Sequence, residues 1–393
     1  MSREYKIVIY LSSIPVDGGK FQYSLFLASA CQKLEDKGFN FTYVYRDLIW
    51  KEYLPLNSLK IKENNYFIKV LKHLFFNFSP TTGRDFWRKI GKYIDRNHQT
   101  FFSLNPDLII YAAKDPLLHE VNLPGLIPVF DLMHKYEKFP ELNEVKIYKD
   151  REIYYSRLCK YAKGILVDSE IGKRHLLDNY EFKDKHIHVL PYIAPFYVYE
   201  KYNFENISQN FSLPDEFIFY PAQFWEHKNH IAIIKALTIL KDKGVLIHCV
   251  FVGSKKNSYE FVRSKIDEYE LNSQFTFLDY VSNEELVFLY KKAKALVMPT
   301  YLGPTNIPQL EAFALGCPVV TSDIYGIPEQ VGKAALLINP NDELSLSNAI
   351  LTIYENNELR LKLIQDGYLK DKNNNLSMFS NKLSNAILES LKN

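Results

Sequence analysis

Three short stretches of the sequence hold residue types whose spacing suits the binding of a phosphorylated ligand. Gly18-Gly19 stands between an apolar run and a helical pattern, so its backbone N–H groups can approach a phosphate at a helix N-terminus. Lys228, within the stretch YPAQFWEHKNH, places a cation just before another helix, where it would neutralise a diphosphate. From these residues alone, two simpler interpretations stay open: a tight turn at the glycines and a solvated surface lysine.

The third stretch is GPTNIPQLEAF, residues 303–313, in which a proline-containing turn opens into an apolar helix. Thr305 or Asn306 can cap that helix, and its free N–H groups would then face a phosphate. Glu311 is the carboxylate of this stretch, and its neighbours are apolar. Because an unpaired buried carboxylate is costly, Glu311 should have a partner. That partner could be the helix dipole or, as in dinucleotide folds, the 2′,3′-diol of a ribose.

The elements that must position these residues follow one repeating pattern. Apolar runs rich in β-branched and aromatic residues alternate with helical patterns, which predicts an α/β fold with parallel sheets covered on both faces. The predicted strands lie at 5–13, 40–47, 107–113, 126–132, 164–169, 186–191, 217–223, 246–254, 275–281, 295–300 and 318–322. Ligands bind beyond the C-terminal ends of such strands, and all three stretches follow a predicted strand.

A polar, aromatic stretch interrupts this pattern and divides the chain. We predict an N-terminal Rossmann-like domain at 1–198, a connection at 199–216 and a C-terminal Rossmann-like domain at 217–374. Residues 375–393 have a helical pattern and could pack back on the N-terminal domain. The length of 393 residues fits two domains of ordinary size.

The composition is typical of a soluble globular protein, with 47% hydrophobic and 24% charged residues. A net charge of +2 argues against a nucleic-acid partner. The four cysteines are far apart in apolar surroundings, which predicts buried free thiols in a reducing compartment. The N-terminus lacks the pattern of a signal peptide, and no apolar run reaches the ~18 residues of a membrane span. We therefore expect a cytoplasmic protein, with contact to a membrane from that side as an option.

The stretch YPAQFWEHKNH, taken together with GPTNIPQLEAFALGCPVVTSDIYGIPEQVG, resembles glycosyltransferase family 4. The resemblance is strong over 217–345 and weaker over 1–195, where Gly18-Gly19 stands at the position of the family's glycine loop. It implies the GT-B fold, in which two Rossmann-like domains face a cleft that binds a nucleotide-sugar donor. It also implies that Lys228 binds the diphosphate and that Glu311 holds the ribose.

The resemblance extends to further positions of the donor site. It implies that backbone groups near Val281 pair with the base, and that a loop meets the diphosphate and the donor sugar through its amides, at Thr305, Asn306 and Ile307. Two positions depart from the family. Gly303 stands where the family has a glutamate that contacts the sugar, and Gln223 stands where it has an arginine. The identity of the donor sugar is therefore open.

A segment of the N-terminal half, PVFDLMHKYEKFPE, also carries candidate catalytic residues. The family often has a His-Asp pair here; this chain has Phe130 in place of the histidine, keeps Asp131, and has His134 three residues later. The resemblance suggests that His134 binds the donor sugar or orients the acceptor. The alternative is that Asp131 caps a turn and His134 is a surface residue.

The activity that the resemblance implies is transfer of a sugar from a UDP- or GDP-sugar to a hydroxyl, with retention at the anomeric carbon. Because Gly303 offers no carboxylate under the sugar, we expect front-face attack rather than a covalent intermediate. No Asp-x-Asp motif ends a strand, so we expect the reaction to be independent of metal. We also expect no cofactor, with the nucleotide sugar as the donor substrate. The alternatives are a nucleotide-sugar epimerase or phosphorylase of the same fold, a sugar-binding protein, and a catalytically inactive relative.

The acceptor is the least determined part of this interpretation. Residues 60–98 mix lysines and arginines with Phe, Trp, Leu and Ile. Such a mixture suits a helix lying on an anionic membrane, and a lipid-linked glycan acceptor would then be natural. An ordinary amphipathic helix with a basic solvated face is the alternative.

Overall fold

The structure is a computed structural model, and it describes residues 4–35, 37–205, 207, 211, 213–303 and 305–392. The chain divides into two compact units. The first comprises Met1–Leu132, Leu142–Pro191 and Leu376–Asn393, and the second comprises Met133–Glu141 and Tyr192–Asn375. The predicted connection at 199–216 lies within the second unit; its residues 206, 208–210 and 212 lie outside the described part.

The first unit is built on a parallel sheet. In chain order its strands are β1 Tyr5–Leu11, β2 Phe39–Tyr45, β3 Leu59–Lys60, β4 Leu108–Tyr111, β5 Gly125–Pro128, β6 Gly164–Val167 and β7 Ile187–Val189. They are ordered β3-β2-β1-β4-β5-β6-β7 among the described residues. Strands β4, β5 and β6 are buried along their whole length, which is why their sequences are continuously apolar rather than alternating.

The second unit has a parallel sheet of its own. Its strands are β8 Phe217–Pro221, β9 His248–Val252, β10 Phe275–Leu278, β11 Ala295–Met298, β12 Val319–Ser322 and β13 Ala335–Ile338. Within the described residues the order is β10-β9-β8-β11-β12-β13. The order of the strands reverses between β8 and β11, and in open α/β sheets such a switch point leaves a crevice where ligands bind.

Helices cover these sheets. Up to residue 191 they are α1 Gly19–Leu34, α2 Tyr66–Phe78, α3 Thr82–Ile94, α4 Arg96–Leu104, α5 Leu117–Glu120, α6 Pro140–Asn143, α7 Val145–Tyr161 and α8 Glu170–Asn179. The following helices are α9 His230–Asp242, α10 Tyr259–Glu268, α11 Asn283–Lys292, α12 Ile307–Leu315, α13 Ile327–Val331, α14 Glu343–Glu355, α15 Asn357–Asn373 and α16 Leu376–Leu391. The last helix packs against α1, where Phe379 contacts Tyr23 and Phe26.

Each predicted strand is present, shortened at one or both ends. Two strands were not predicted: β3, with two exposed residues at the sheet edge, and β13, whose sequence is ALLI. The cysteines are free, and three of the four are buried, with Cys159 partly so. Among the helices that the structure describes, none combines the length and the apolar character needed to cross a bilayer.

Candidate functional site

The loops after β8 and β11 are joined directly at the switch point of the second sheet. The backbone N–H of Tyr301 donates to the carbonyl oxygen of His227 across 2.8 Å, and the Thr300 hydroxyl lies 3.2 Å from the same oxygen. The carboxyl ends of β8 and β11 thus carry two loops that hold each other in place. Lys228 follows His227, so the lysine predicted to bind a diphosphate lies at the edge of the sheet where a ligand is expected.

Asn229 fixes the backbone beside Lys228. It has a left-handed backbone, with φ of 57°, and its side-chain amide donates to the carbonyl oxygens of Pro299 and Pro340, each 2.9 Å away. The hydroxyl of Tyr220 donates to the carbonyl oxygen of Lys228 across 2.8 Å. Sequence reasoning missed Asn229, although asparagine directly before a helix is among the few residue types that adopt this conformation readily.

His227 is held by a carboxylate from a distant part of the chain. Its Nδ1 lies 2.5 Å from Oε1 of Glu141, and the side-chain amide of Asn257 donates to Oε2 of Glu141 across 2.9 Å. Burial alone would raise the pKa of Glu141, but the hydrogen bonds and positive charge of His227 outweigh it and lower this pKa to about 2. Neither His227 nor Glu141 was predicted, because 86 residues separate them in the sequence.

The two positions that depart from glycosyltransferase family 4, which the sequence resembles, have different local surroundings. Gln223 is exposed, and its side-chain oxygen accepts a hydrogen bond from the Trp225 indole N–H across 2.9 Å. Gly303 has φ of +117°, and a Cβ at this position would lie 2.4 Å from Nδ2 of Asn306. A glutamate cannot stand at 303 without a change of backbone and the displacement of Asn306, whose side-chain amide occupies the space beside Gly303.

Asn306 precedes α12 but does not cap it with its side chain, contrary to one of the two options predicted. Its Nδ2 instead donates to the carbonyl oxygen of Leu302, 3.3 Å away. Its backbone N–H donates to Oε1 of Gln330 across 2.9 Å, so in this structure that amide is engaged rather than open to a phosphate. Thr305 lies on the loop just before, and Ile307 is the first residue of α12. The first N–H groups of a helix have no partner within it, which keeps this end suited to an anion.

The buried carboxylate of Glu311 accepts hydrogen bonds from two tyrosines, as its burial led us to expect. The side chain is 6% exposed; the hydroxyl of Tyr197 donates to Oε1 across 2.5 Å, and that of Tyr290 donates to Oε2 across 2.6 Å. Burial raises the pKa of Glu311, while the two hydrogen bonds oppose this shift. The predicted contact with a ribose stays a prediction, because a carboxylate oxygen can accept a second hydrogen bond.

The remaining donor-site candidates lie where their strands end. Gly18 has φ of +58° and directly precedes Gly19, the first residue of α1, so the turn after β1 needs glycine for its backbone conformation. A Cβ at Gly18 would meet no atom within 4 Å, which leaves space beside it. Val281 is half-buried on the loop after β10 and packs against the core of the second unit.

Asp131 and His134 fall in different units and have different surroundings. Arg151 donates to Oδ1 of Asp131 across 3.0 Å, so this carboxylate is ion-paired within the first unit. His134 lies in a 3-10 turn, Met133–Lys135, and is 2% exposed. The alternative that His134 is a surface residue is therefore wrong. Catalytic roles for both residues stay predictions.

One group in the described part of the chain has ligand atoms close enough for a metal ion. Asp95, His98 and Glu120 each bring one such atom to within 4.8 Å of the others. The ammonium of Lys72 is ion-paired with Glu120 and lies 3.5 Å from Oδ2 of Asp95, so it already provides positive charge there. The expectation that no metal takes part stays a prediction.

Comparison with known proteins finds a family model that matches part of the chain. The family described as glycosyl transferases group 1 matches residues 203–370. The O-antigen chain mannosyltransferase RfbU of Salmonella typhimurium is 30% identical over 207 residues, which cover 52% of this chain and 55% of that protein. The chain thus spans about half the length of this relative.

Solved structures match over nearly the full length of the chain. A glycosyltransferase from Rickettsia africae has a TM-score of 0.72 at 17% identity, covering 100% of both chains. Anabaena Alr3699/HepE, in complex with UDP and glucose, has a TM-score of 0.71 at 14% identity, covering 98% of this chain and 99% of that one. The chain therefore has the GT-B fold of glycosyltransferases, and its residues 203–370 are similar to the glycosyl transferases of group 1.

Proposed function

We propose that this protein transfers a sugar from a nucleotide diphosphate sugar to a hydroxyl of a glycan or lipid-linked glycan, with retention, during the synthesis of a surface polysaccharide. The observation that carries the proposal is the position of Lys228, held by Asn229 at the switch point of the second sheet. The relative named as an O-antigen mannosyltransferase favours a mannosyl donor.

The proposed mechanism is electrostatic. Lys228 and the N-terminus of α12 stabilise the leaving diphosphate, which takes the proton of the acceptor hydroxyl during front-face attack. Gly303 provides no side chain beneath the sugar, so no enzyme-bound glycosyl intermediate is expected at that position. The reaction needs no metal, because the cationic side chain and helix terminus neutralise the diphosphate. His134 binds the donor sugar or orients the acceptor; the other catalytic candidate, Asp131, is ion-paired with Arg151 within the first unit.

The acceptor side of the proposal depends on α2. Its described side chains include none that is buried, and four apolar ones are exposed: Tyr66 by 83%, Phe67 by 69%, Val70 by 37% and Leu74 by 59%. Lys60 and Lys62 precede α2 in the sequence, and Lys69 lies within it, ion-paired with Glu63 across 2.9 Å. Apolar side chains bordered by cations suit the interface of an anionic bilayer. We therefore propose that α2 rests on the cytoplasmic side of a membrane, where a lipid-linked acceptor is available.

A cavity beside α2 fits the same proposal. It has a volume of about 340 Å³, and its basic lining residues are Arg46, Lys69, Lys72, His73 and Arg84. Asp115 and Glu120 also line it and compensate part of this charge. Such a cavity suits the phosphate of a lipid headgroup more than a neutral sugar.

Binding of the donor can be measured by the rise in melting temperature with UDP, GDP, ADP, CMP and their sugar conjugates, with and without EDTA. We expect one nucleotide diphosphate to raise it, with EDTA making no difference. Lys228→Ala should abolish most of this rise, whereas Lys243→Ala, at the exposed opposite end of α9, should not. Absence of a rise with every nucleotide would contradict the proposed transfer.

Membrane contact can be measured by cosedimentation with vesicles that contain anionic lipid. We expect the wild-type protein to sediment with them, and less so with neutral vesicles. Leu74→Ser should lower the bound fraction, while Leu369→Ser, an equally exposed leucine of α15, should leave it unchanged. Equal binding of both variants would argue against α2 as the contact.

Gly303 keeps a second candidate function open, that of an inactive nucleotide-binding relative. Such a protein would bind the nucleotide without releasing it from its sugar. Incubation with the sugar conjugate and a lipid-linked glycan fraction, followed by assay of free nucleotide, separates the two. Interconversion of the sugar while it stays on the nucleotide would instead indicate an epimerase.

A further inference from the structure

We propose that His227, held by Glu141, is a second cationic contact for the diphosphate of the donor. This inference rests on the proposed function and deepens it. Gln223, the residue at the position of the family's arginine, carries no charge, and its side-chain oxygen is engaged with the Trp225 indole. The neighbouring histidine, His227, can add positive charge to that of Lys228 and the N-terminus of α12.

The placement of His227 is the first argument. Its carbonyl oxygen joins the loop after β8 to the loop after β11 through Tyr301, so the residue lies at the point where the strand order reverses. It directly precedes Lys228 in a 3-10 turn, Glu226–Lys228. A residue at this position borders the crevice in which open α/β sheets bind phosphorylated ligands.

The carboxylate of Glu141 is the second argument. It lies 2.5 Å from Nδ1 of His227 and also accepts the His227 backbone N–H across 3.3 Å. Because the two ring nitrogens point to different sides of an imidazole, a carboxylate at Nδ1 directs Nε2 away from itself. A doubly protonated ring in this arrangement donates to Glu141 through Nδ1 and carries a second N–H at Nε2.

Charges around the ring favour this protonated form. The pKa of Glu141 lies at about 2 because the interaction with His227 outweighs the effect of burial, and by reciprocity the anionic carboxylate favours the imidazolium. Other titratable groups of the region are Glu226 and Lys228 on the same turn, Glu137 on the segment that carries Glu141, and His230 on α9. Among these groups, Glu141 is the one whose carboxylate contacts the ring of His227.

His230 provides a contrast within the same motif. It is 1% exposed, stacks on Phe224 with ring centroids 4.4 Å apart, and burial lowers its pKa to about 3. It is therefore a neutral histidine of the core. Of the two histidines in EHKNH, only His227 has a carboxylate within hydrogen-bonding distance in the described part of the chain.

The surroundings hold the pair rigid. Asn257 forms hydrogen bonds both to Glu141 and to the turn that carries His227. Its Nδ2 donates to Glu141, and its Oδ1 accepts the backbone N–H of Glu226 across 3.0 Å. The ring of Phe139 stacks on Tyr301 with centroids 5.5 Å apart and meets His227 edge to face at 6.2 Å. A cation fixed in this way loses little freedom when a ligand binds, which is the condition for a strong charge-assisted hydrogen bond.

The pair of Glu141 and His227 also connects residues 133–141 to the rest of the second unit. The experiment must therefore distinguish a structural role of His227 from a role in binding the diphosphate. The separating measurement is calorimetric titration with the nucleoside diphosphate that stabilises the wild-type protein and with its monophosphate, at several pH values. We expect His227→Gln to weaken diphosphate binding by about tenfold or more and monophosphate binding much less. His227→Lys should restore much of the loss, and Glu141→Gln should give a smaller loss.

The pH profile is the second measurement. Raising the pH removes the proton from the imidazole, so the ratio of wild-type to His227→Gln diphosphate affinity should fall toward one at high pH; taking this ratio cancels the titration of the nucleotide itself. His188→Gln is the matched control, because His188 forms a histidine–carboxylate pair with Glu389 in the first unit. Its diphosphate affinity should equal that of the wild type.

Two outcomes would overturn the inference. If His227→Gln binds the diphosphate as tightly as the wild type at every pH, His227 is not a contact, while the proposed function stands. If the wild type binds no nucleoside diphosphate, the proposed function fails and the inference fails with it. If His227→Gln does not fold, the diphosphate affinities of Glu141→Gln and His227→Lys decide instead. A cationic role is contradicted if Glu141→Gln binds the diphosphate as tightly as the wild type and His227→Lys does not bind it.

Discussion

The hydroxyl of Tyr290 donates a hydrogen bond to Oε2 of Glu311 across 2.6 Å, between α11 and α12 of the second unit. Tyr197 satisfies the other oxygen of the same carboxylate. Glu311 is therefore part of a buried polar network as well as a candidate for ribose binding. Removing its side chain affects both, so the two roles need different substitutions.

Glu311→Ala should lower the free energy of unfolding by roughly 2–3 kcal/mol, because it leaves two buried tyrosine hydroxyls without an acceptor. Glu311→Gln should be better tolerated, since an amide can accept one hydrogen bond and donate the other. Both should weaken nucleotide binding if the carboxylate holds the ribose. Urea unfolding and calorimetric titration measure the two effects separately. A Glu311→Gln protein that is stable and binds nucleotide normally would remove the ribose assignment.

Gly303→Ala should destabilise the loop after β11, because φ of +117° is strained for any residue with a Cβ and Asn306 occupies the space. We expect a loss of roughly 1–3 kcal/mol. Gly244→Ala is the control for backbone strain alone, since no atom lies within 4 Å of a Cβ at that position. A thermal unfolding series with Gly303→Ala, Gly303→Ala/Asn306→Ala and Gly244→Ala separates strain from collision. If the double variant is no more stable than Gly303→Ala, the contact with Asn306 is not what excludes a side chain.

Asn229→Gly and Asn229→Ala should differ in stability although both lose the hydrogen bonds to Pro299 and Pro340. Alanine also meets the penalty of a left-handed backbone, so we expect it to be less stable than glycine by roughly 1–2 kcal/mol. Both should bind nucleotide more weakly than the wild type, because the loop that carries Lys228 is released. Asn105→Gly, at another left-handed asparagine in the first unit, should bind normally. Equal stability of the two Asn229 variants would show that the backbone relaxes.

Glu141→Gln should change how stability depends on pH. The pKa of Glu141 is about 2 in the folded protein and about 4.3 in an unfolded chain, so its contribution is fully present above the unfolded value and is lost as the pH falls toward 2. The wild type should thus melt at a higher temperature than Glu141→Gln at pH 7. The difference should shrink between pH 5 and pH 3, as the carboxylate of the wild type becomes protonated on unfolding.

The exposed Glu355 provides the control for this pH dependence. Glu355→Gln should keep the melting curve of the wild type through the same range. A gap between the wild type and Glu141→Gln that stays constant down to pH 3 would mean that Glu141 does not act through its charge on His227.

The class of fold and the loops that carry the candidate site follow from patterns in the sequence. Parallel strands buried on both faces produce continuous apolar runs, and that local pattern located the predicted strands within a few residues. The position of Lys228 after β8, and of Gly303 and Glu311 around the start of α12, follows from the same alternation. These are local properties, because each depends only on neighbours along the chain.

The partners of the buried polar groups, in contrast, depend on contacts between distant parts of the chain. Tyr197 and Glu311 are 114 residues apart, and Glu141 and His227 are 86 apart, so no periodicity connects them. A buried carboxylate needs hydrogen-bond donors, and the sequence predicted this need for Glu311. Which residues donate depends on which distant segments of the chain pack against it. The pairing of Glu141 with His227 had no sequence signal, because it arises only when residues 133–141 join the second unit.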